Sequence, residues 1–194
     1  MAMRRNHGLL LPAAFLAVLS APGSADAGNG FSRRLELQGV KFDVSATNEG
    51  SINQLTIVPH GLHEQRGPVT VEIDGTVSGA EIADLDANGF PEIYIYVTSA
   101  GSGSYGSLVG YAVNNNKSMT GIHLPPIADD AKHNSGYMGH DEFAVVEGTF
   151  VQRFPIYGTM DSNAQPSGKT RQLQYKLKAG EAGWVLRIDK AIEY

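Results

Sequence analysis

The stretch with the most distinctive chemistry is 99–107, which reads Ser-Ala-Gly-Ser-Gly-Ser-Tyr-Gly-Ser. It offers neutral hydroxyls, backbone N–H groups and one large aromatic, Tyr105. Glycines at positions 101, 103 and 106 predict positive φ angles and close approach to another surface. Such composition is typical of binding loops, because Tyr supplies contact area at low entropy cost while Ser and Gly adapt their hydrogen bonds. A flexible hairpin loop rich in glycine is the competing interpretation. A phosphate-binding loop is disfavoured, since no Lys and no helix follow.

A second group of oxygen-bearing side chains has the spacing of a shortened calcium loop, with a Gly at its sixth position. Its members are Asp84, Asp86, Asn88 and Glu92. The Glu expected at position twelve is replaced by Ile95, so Glu92 would have to be the last ligand. A turn leading into a strand requires the same residue types. We favour the turn and keep a calcium site as the alternative; no other cofactor is predicted.

A third group places His140 beside Asp141, and together with Ser104 these residues could suggest a serine-hydrolase set. The sequence has no G-x-S-x-G turn, and adjacent residues in a chain point in different directions. We therefore interpret the group as a structural polar cluster and predict that the protein is not an enzyme. His60 and His63 lie in a loop rather than on one helix face, so they do not predict a metal site.

The elements that must position these groups are strands, because most of the periodicity after the N-terminal segment is two. About eight to ten short strands with little helix predict an antiparallel β-sandwich or barrel. Ile93, Ile95 and Val97 would face inward, and the aromatic side chains between them would lie on the opposite face. The last two strands would form a hairpin, and a helical turn fits only in 125–132. The predicted strands are 35–44, 54–58, 69–77, 92–98, 107–113, 119–124, 143–147, 149–153, 170–178 and 184–192.

The first 27 residues have the pattern of a cleaved signal peptide. Arg4 and Arg5 precede an apolar run, and the small residues Ala25 and Ala27 mark a cleavage site after Ala27. Pro12 interrupts the run, which is shorter than the ~20 residues of a membrane span. We therefore expect an exported protein whose mature part, 28–194, is a single domain.

Composition narrows the function further. The chain has no cysteine, which excludes disulfides, thiol chemistry and lipoprotein anchoring through a modified cysteine. Its formal net charge of −5 disfavours nucleic acid and anionic membranes as partners and is compatible with a basic protein. Taken alone, a charge of this size is explained more simply by solubility. The oligomeric state stays open, a homodimer included.

Five runs, 74–85, 91–96, 102–107, 136–143 and 180–186, resemble the periplasmic inhibitors of i-type (invertebrate) lysozymes. The resemblance extends from about Phe42 to the C terminus and is weakest across 48–67. It implies a β-sandwich whose Ser-Gly-x-Tyr loop enters the lysozyme cleft. Inhibitors of c-type lysozymes have one more residue between Gly and Tyr, so the spacing here favours an i-type target.

The loop residues to which this resemblance assigns the binding role are Gly101, Ser102, Gly103, Ser104, Tyr105 and Gly106. The predicted protein is thus a periplasmic, non-enzymatic inhibitor whose partner is an i-type lysozyme. The alternative is an exported calcium-dependent adhesion or carbohydrate-binding sandwich that uses the acidic group at 84–92 and exposed tyrosines.

Overall fold

Alternation of buried with exposed or half-buried side chains is clearest in the segments Val40–Ala46 and Ile52–His60. The computed structural model describes residues 30–194, and the predicted signal peptide of residues 1–27 lies outside them. The described chain is nearly all β, which confirms the predicted fold class. A single 3₁₀ turn, Ile127–Asp129, occupies the stretch expected to hold a helical turn. No helix within residues 30–194 is long and apolar enough to cross a membrane.

Twelve strands make up the described fold, more than the eight to ten that were predicted. They are β1 (Phe31–Leu37), β2 (Val40–Ala46), β3 (Ile52–His60), β4 (Val69–Asp74), β5 (Thr76–Ala83), β6 (Glu92–Thr98), β7 (Gly106–Asn114), β8 (Ser118–His123), β9 (Glu142–Val146), β10 (Thr149–Pro155), β11 (Thr170–Ala179) and β12 (Trp184–Glu193).

Two of the predicted strands were wrong because each contains a turn. The segment 35–44 is divided by Gln38 and Gly39, whose φ angles of 51° and 81° reverse the chain. The segment 69–77 is divided at Gly75, with φ 124°, where the chain passes from β4 into β5. In both places apolar residues continue on either side of the turn, so the alternation alone did not reveal it.

The strands form a four-stranded sheet, β1-β2-β3-β4, and an eight-stranded sheet, β5-β6-β7-β8-β12-β11-β10-β9. All pairs are antiparallel except β8 with β12, which run parallel over Trp184↔Ile122 and Val185↔His123. The purely antiparallel prediction was wrong at this junction. It assumed that strands adjacent in sequence pair with each other, whereas here the chain crosses over to begin a second series of hairpins. The predicted terminal hairpin, β11 with β12, is confirmed.

Strand β6 is buried on both faces and separates two hydrophobic cores. Ile93, Ile95 and Val97 point inward, as predicted, and pack in the core that they share with the four-stranded sheet. Tyr94 and Tyr96 point the other way, into a second core shared with β10, β11 and β12. The ends of β6 are therefore held rigidly, and the loop that follows it begins from a fixed position.

Strand β5 and strand β9, at opposite ends of the larger sheet, are connected through Glu81. Its Oε2 accepts hydrogen bonds from the Val145 backbone N–H, at 2.8 Å, and from the Tyr96 hydroxyl. The eight-stranded sheet therefore curls until its two halves enclose the second core.

Candidate functional site

The 99–105 loop joins β6 to β7 and is closed at its base by regular pairing of Thr98 with Gly106. Inside that pair, the Ser99 N–H donates to the Tyr105 carbonyl at 2.9 Å. The Tyr105 N–H donates to Ser99 Oγ, also at 2.9 Å. These two bonds satisfy backbone groups that a flexible loop would leave to water.

The tip of this hairpin faces solvent. Gly101 and Ser102 are exposed, and the Tyr105 side chain is 49% exposed although it is a large aromatic. Ser104 is half-buried and Gly103 is buried. Within residues 30–194 the Tyr105 hydroxyl makes no hydrogen bond, so its polar end is available to a partner.

The prediction that glycines give this loop its positive φ angles was wrong. The left-handed residue is Ser104, with φ 42°, and none of Gly101, Gly103 and Gly106 is in that region. The Ser104 N–H donates to the Gly101 carbonyl at 3.0 Å, which makes the tip a tight turn. A non-glycine residue in this conformation is uncommon and is kept only where its surroundings determine it.

Two of the glycines are required for close approach within the molecule. A Cβ at Gly103 would lie 2.9 Å from Cδ2 of Tyr105, and one at Gly106 would lie 2.5 Å from Asp141 Cβ. A Cβ at Gly101 would meet nothing within 4 Å. Gly103 thus sets where the Tyr105 ring lies, whereas Gly101 has no such internal role.

The loop rests on a second segment, 136–141, which precedes β9. The His140 N–H donates to the Gly103 carbonyl at 2.7 Å, and the Gly106 N–H donates to Asp141 Oδ2 at 2.7 Å. Gly139 has φ 87°, and a Cβ there would collide with the Gly103 carbonyl oxygen. This segment appeared in the sequence as a polar cluster, and the structure shows what the cluster supports.

Asp141 makes several of the hydrogen bonds that hold this segment against the loop. Its Oδ2 also accepts a hydrogen bond from the Tyr137 hydroxyl at 2.6 Å, and its Oδ1 accepts one from Gln152 Nε2 at 2.7 Å. Burial raises the pKa of the Asp141 carboxyl, against the opposing effect of these hydrogen bonds. Since both oxygens are engaged, Asp141 holds the loop in place and is not available to orient a catalytic histidine.

The Tyr105 ring is oriented by an aromatic neighbour. It meets Tyr137 edge to face with ring centroids 5.7 Å apart, and Tyr137 packs in turn on Phe154 at 4.8 Å. Such edge-to-face pairs are favoured by the quadrupoles of the two rings. The exposed tyrosine is therefore connected to the second core through one intermediate ring.

A third segment, 157–163, braces the other side of the tip. Asn163 Nδ2 donates to the Ser102 carbonyl at 2.6 Å, and the Asn163 carbonyl accepts a hydrogen bond from the Tyr157 hydroxyl at 2.9 Å. No sequence signal indicated Asn163, because its partner is 61 residues away. Two segments distant in sequence thus fix one loop.

Beside Tyr105 lies a cleft of about 280 Å³. It is lined by Tyr105, Leu108, Ile122, Pro126, Tyr137 and Gln152, among others. The tip and this cleft together present a projection next to a depression.

The hydrolase interpretation finds no support in the geometry. His140 has φ 57°, its Nε2 is buried, and that nitrogen has no hydrogen-bond partner among residues 30–194. The described residues show no bond between this ring and Ser104. His60 pairs with Asp43 at 2.9 Å, while His63 is exposed, so these two histidines do not form a metal site together.

The acidic group at 84–92 is brought together in part. One carboxylate oxygen from each of Asp84, Asp86 and Glu92 lies within 4.8 Å of the others. Asp84 and Asp86 also accept backbone N–H groups of the turn, as the turn interpretation requires. The Asn88 Oδ1 accepts the Phe90 N–H at 2.7 Å, so Asn88 acts as a turn residue here.

Glu92 is the exceptional member of this group, because its side chain is completely buried. Burial raises the pKa of its carboxyl to about 7, a hydrogen bond from the Leu85 N–H opposes the rise, and the charges of Asp86 and Asp84 add to it.

Comparison with protein-family models, with curated proteins and with solved structures found no match to this chain.

Proposed function

We propose that this protein is a periplasmic inhibitor of i-type lysozyme that inserts its 99–105 loop into the enzyme's active-site cleft. The observation that carries the proposal is the braced, uncharged tip with Tyr105 half-exposed on a rigid hairpin. The resemblance of the Ser102, Gly103, Ser104 and Tyr105 run to the signature of such inhibitors supports it.

The chemistry of the tip suits a lysozyme cleft. A lysozyme cleft is lined by two carboxyl groups, of which one is protonated and the other ionised. The loop carries no ionisable side chain other than the Tyr105 phenol. Hydroxyls and backbone N–H groups can donate to either carboxyl without changing its charge, whereas a carboxylate in the loop would be repelled.

The rigidity of the tip favours tight binding. A loop that is already ordered loses little conformational entropy when it binds, so more of the contact energy appears as affinity. Tyrosine anchors near the centre of an interface are typical binding hot spots. The cleft beside Tyr105 would then receive a side chain from the rim of the enzyme's groove.

The test is titration of an i-type lysozyme with the parent protein, Ser104→Ala and Tyr105→Ala. We expect Tyr105→Ala to raise the inhibition constant about 30-fold or more, corresponding to about 2 kcal/mol. Tyr194→Ala is the matched control, since Tyr194 is also exposed but lies at the end of the chain. Equal inhibition by all four proteins, or no inhibition by the parent, would refute the proposal.

Lysozymes of the c and g types belong in the same experiment. The proposal expects i-type activity to fall at the lowest inhibitor concentration. Failure to inhibit any lysozyme, with binding of an oligosaccharide instead, would favour the adhesion or carbohydrate-binding alternative, which draws support from the clustering of Asp84, Asp86 and Glu92.

A further inference from the structure

The first residue of β6, Glu92, carries a buried carboxylate of which one oxygen is not satisfied by the fold. Glu92 has 0% of its surface exposed, and its Oε1 has no hydrogen-bond partner among residues 30–194. Its Oε2 accepts the Leu85 N–H at 2.8 Å and the Tyr94 hydroxyl at 3.3 Å. A buried polar atom without a partner is rare and costly, and a bound cation can supply the missing partner of a carboxylate oxygen.

The surroundings of the Glu92 carboxylate are acidic. Asp84 and Asp86 each bring an oxygen within 4.8 Å of one from Glu92. In the described part of the chain no Lys, Arg or His forms an ion pair with any of these three carboxylates. The side chain that does reach Asp84 is the neutral Gln38, at 2.7 Å. Neutral N–H donors of the turn and of Gln38 reach these carboxylates, but no cationic side chain among the described residues balances their charge.

We propose that Asp84, Asp86 and Glu92 bind a divalent cation of the calcium type. Calcium takes oxygen ligands at 2.3–2.6 Å, so oxygens on opposite sides of the ion lie about 4.6–5.2 Å apart. The three oxygens, all within 4.8 Å of one another, lie close enough together to share one calcium ion. Magnesium demands near-ideal octahedral geometry and gives up its waters reluctantly, so a site of three protein carboxylates favours calcium. The absence of nitrogen and sulfur ligands in the cluster disfavours zinc.

The site would strengthen the scaffold beneath the loop described above. Glu92 is the first residue of β6, and the same strand ends at Thr98, where the 99–105 loop begins. Gln38 connects the cluster to the turn between β1 and β2. An ion at this position would stabilise the connection between β5 and β6 at the end of β6 opposite the loop. With three protein carboxylates and the remaining positions held by water, we expect a Kd of about 10⁻⁴–10⁻³ M, as in extracellular calcium modules.

The experiment is thermal unfolding of the full mature chain in EDTA, in 10 mM MgCl₂ and in 10 mM CaCl₂. Calcium should raise Tm by about 3–10 °C through its preference for the native state, and magnesium should raise it less. Isothermal titration with CaCl₂ should give one saturable site. No lysozyme is involved, so failure here is distinct from failure of the inhibitor proposal.

Glu92→Gln keeps the size of the side chain and removes its charge, so it should abolish the calcium-dependent shift. Asp86→Asn is the second variant, used if Glu92→Gln does not fold, because Asp86 is half-buried and lies outside the strands. Asp129→Asn is the matched control, because Asp129 is an exposed carboxylate outside the cluster. No calcium effect on the parent would overturn the proposal. A shift retained in both cluster variants, or lost in Asp129→Asn, would overturn it as well.

Discussion

Gly103→Ala is the sharpest perturbation that the structure offers, since it adds one methyl group at a single defined contact. The new Cβ would lie 2.9 Å from Cδ2 and 3.2 Å from Cζ of Tyr105, and closer still to Cε2. Restoring an ordinary separation of 3.5–4.0 Å between carbons requires the ring to move by about 1 Å. That movement disturbs the edge-to-face pair with Tyr137, worth about 1 kcal/mol, and leaves the cores untouched.

The expected result is a protein that folds but inhibits poorly. Complete loss of a central aromatic anchor costs about 2 kcal/mol or more, so a displaced ring should raise the inhibition constant about 10- to 30-fold. Gly67→Ala is the control, because a Cβ there meets nothing within 4 Å. Gly101→Ala also meets nothing inside the molecule, so any loss that it causes must arise from contact with the lysozyme.

The assay is titration of i-type lysozyme activity, paired with urea unfolding to measure stability. A double-mutant cycle identifies the cause: in a Tyr105→Ala background, Gly103→Ala should have no further effect, because the ring that it displaces is gone. If Gly103→Ala inhibited like the parent, or if its effect persisted without Tyr105, the argument that Gly103 positions this ring would be refuted.

Two further predictions concern stability. Asp141→Ala should lower the free energy of unfolding by about 2–4 kcal/mol and weaken inhibition, because it leaves the donors of Gly106, Tyr137 and Gln152 without their acceptor. Urea unfolding measures this loss, and an unchanged midpoint urea concentration would contradict the prediction. The hydrogen bond from Arg34 lowers the pKa of the Asp43 carboxyl to about 2 in the folded protein. Asp43 should therefore stabilise the fold at pH values above its unfolded pKa of 3.8. This contribution should be lost as the pH falls from about 4 to 2. The difference in Tm between the parent and Asp43→Asn should therefore disappear over that range. A difference that grew instead would contradict the lowered pKa of Asp43. The effect should be modest, since the pair is solvent-accessible.

Strand positions were predictable where alternation and turn signals agreed. The segment 92–98 matches β6 residue for residue, because β-branched and aromatic residues continue without interruption from Ile93 to Thr98, between Pro91 and the Gly/Ser-rich loop. The turn at Gln38 and Gly39 was missed because two-residue hairpin turns are usually indicated by Asn-Gly or Asp-Gly. A lone Gly75 within an apolar run gave equally little warning.

The 99–107 stretch was recognisable from residue types alone, because its composition is local and its flanking strands have period two. What supports it was decided by the tertiary structure. Asp141 and Asn163 reach the loop from 35 and 61 residues away, after the parallel junction of β8 with β12 has folded the second half of the larger sheet over the first. Burial of Glu92 likewise depends on two cores meeting at one strand. Such contacts depend on packing between distant segments, so no local sequence pattern encodes them.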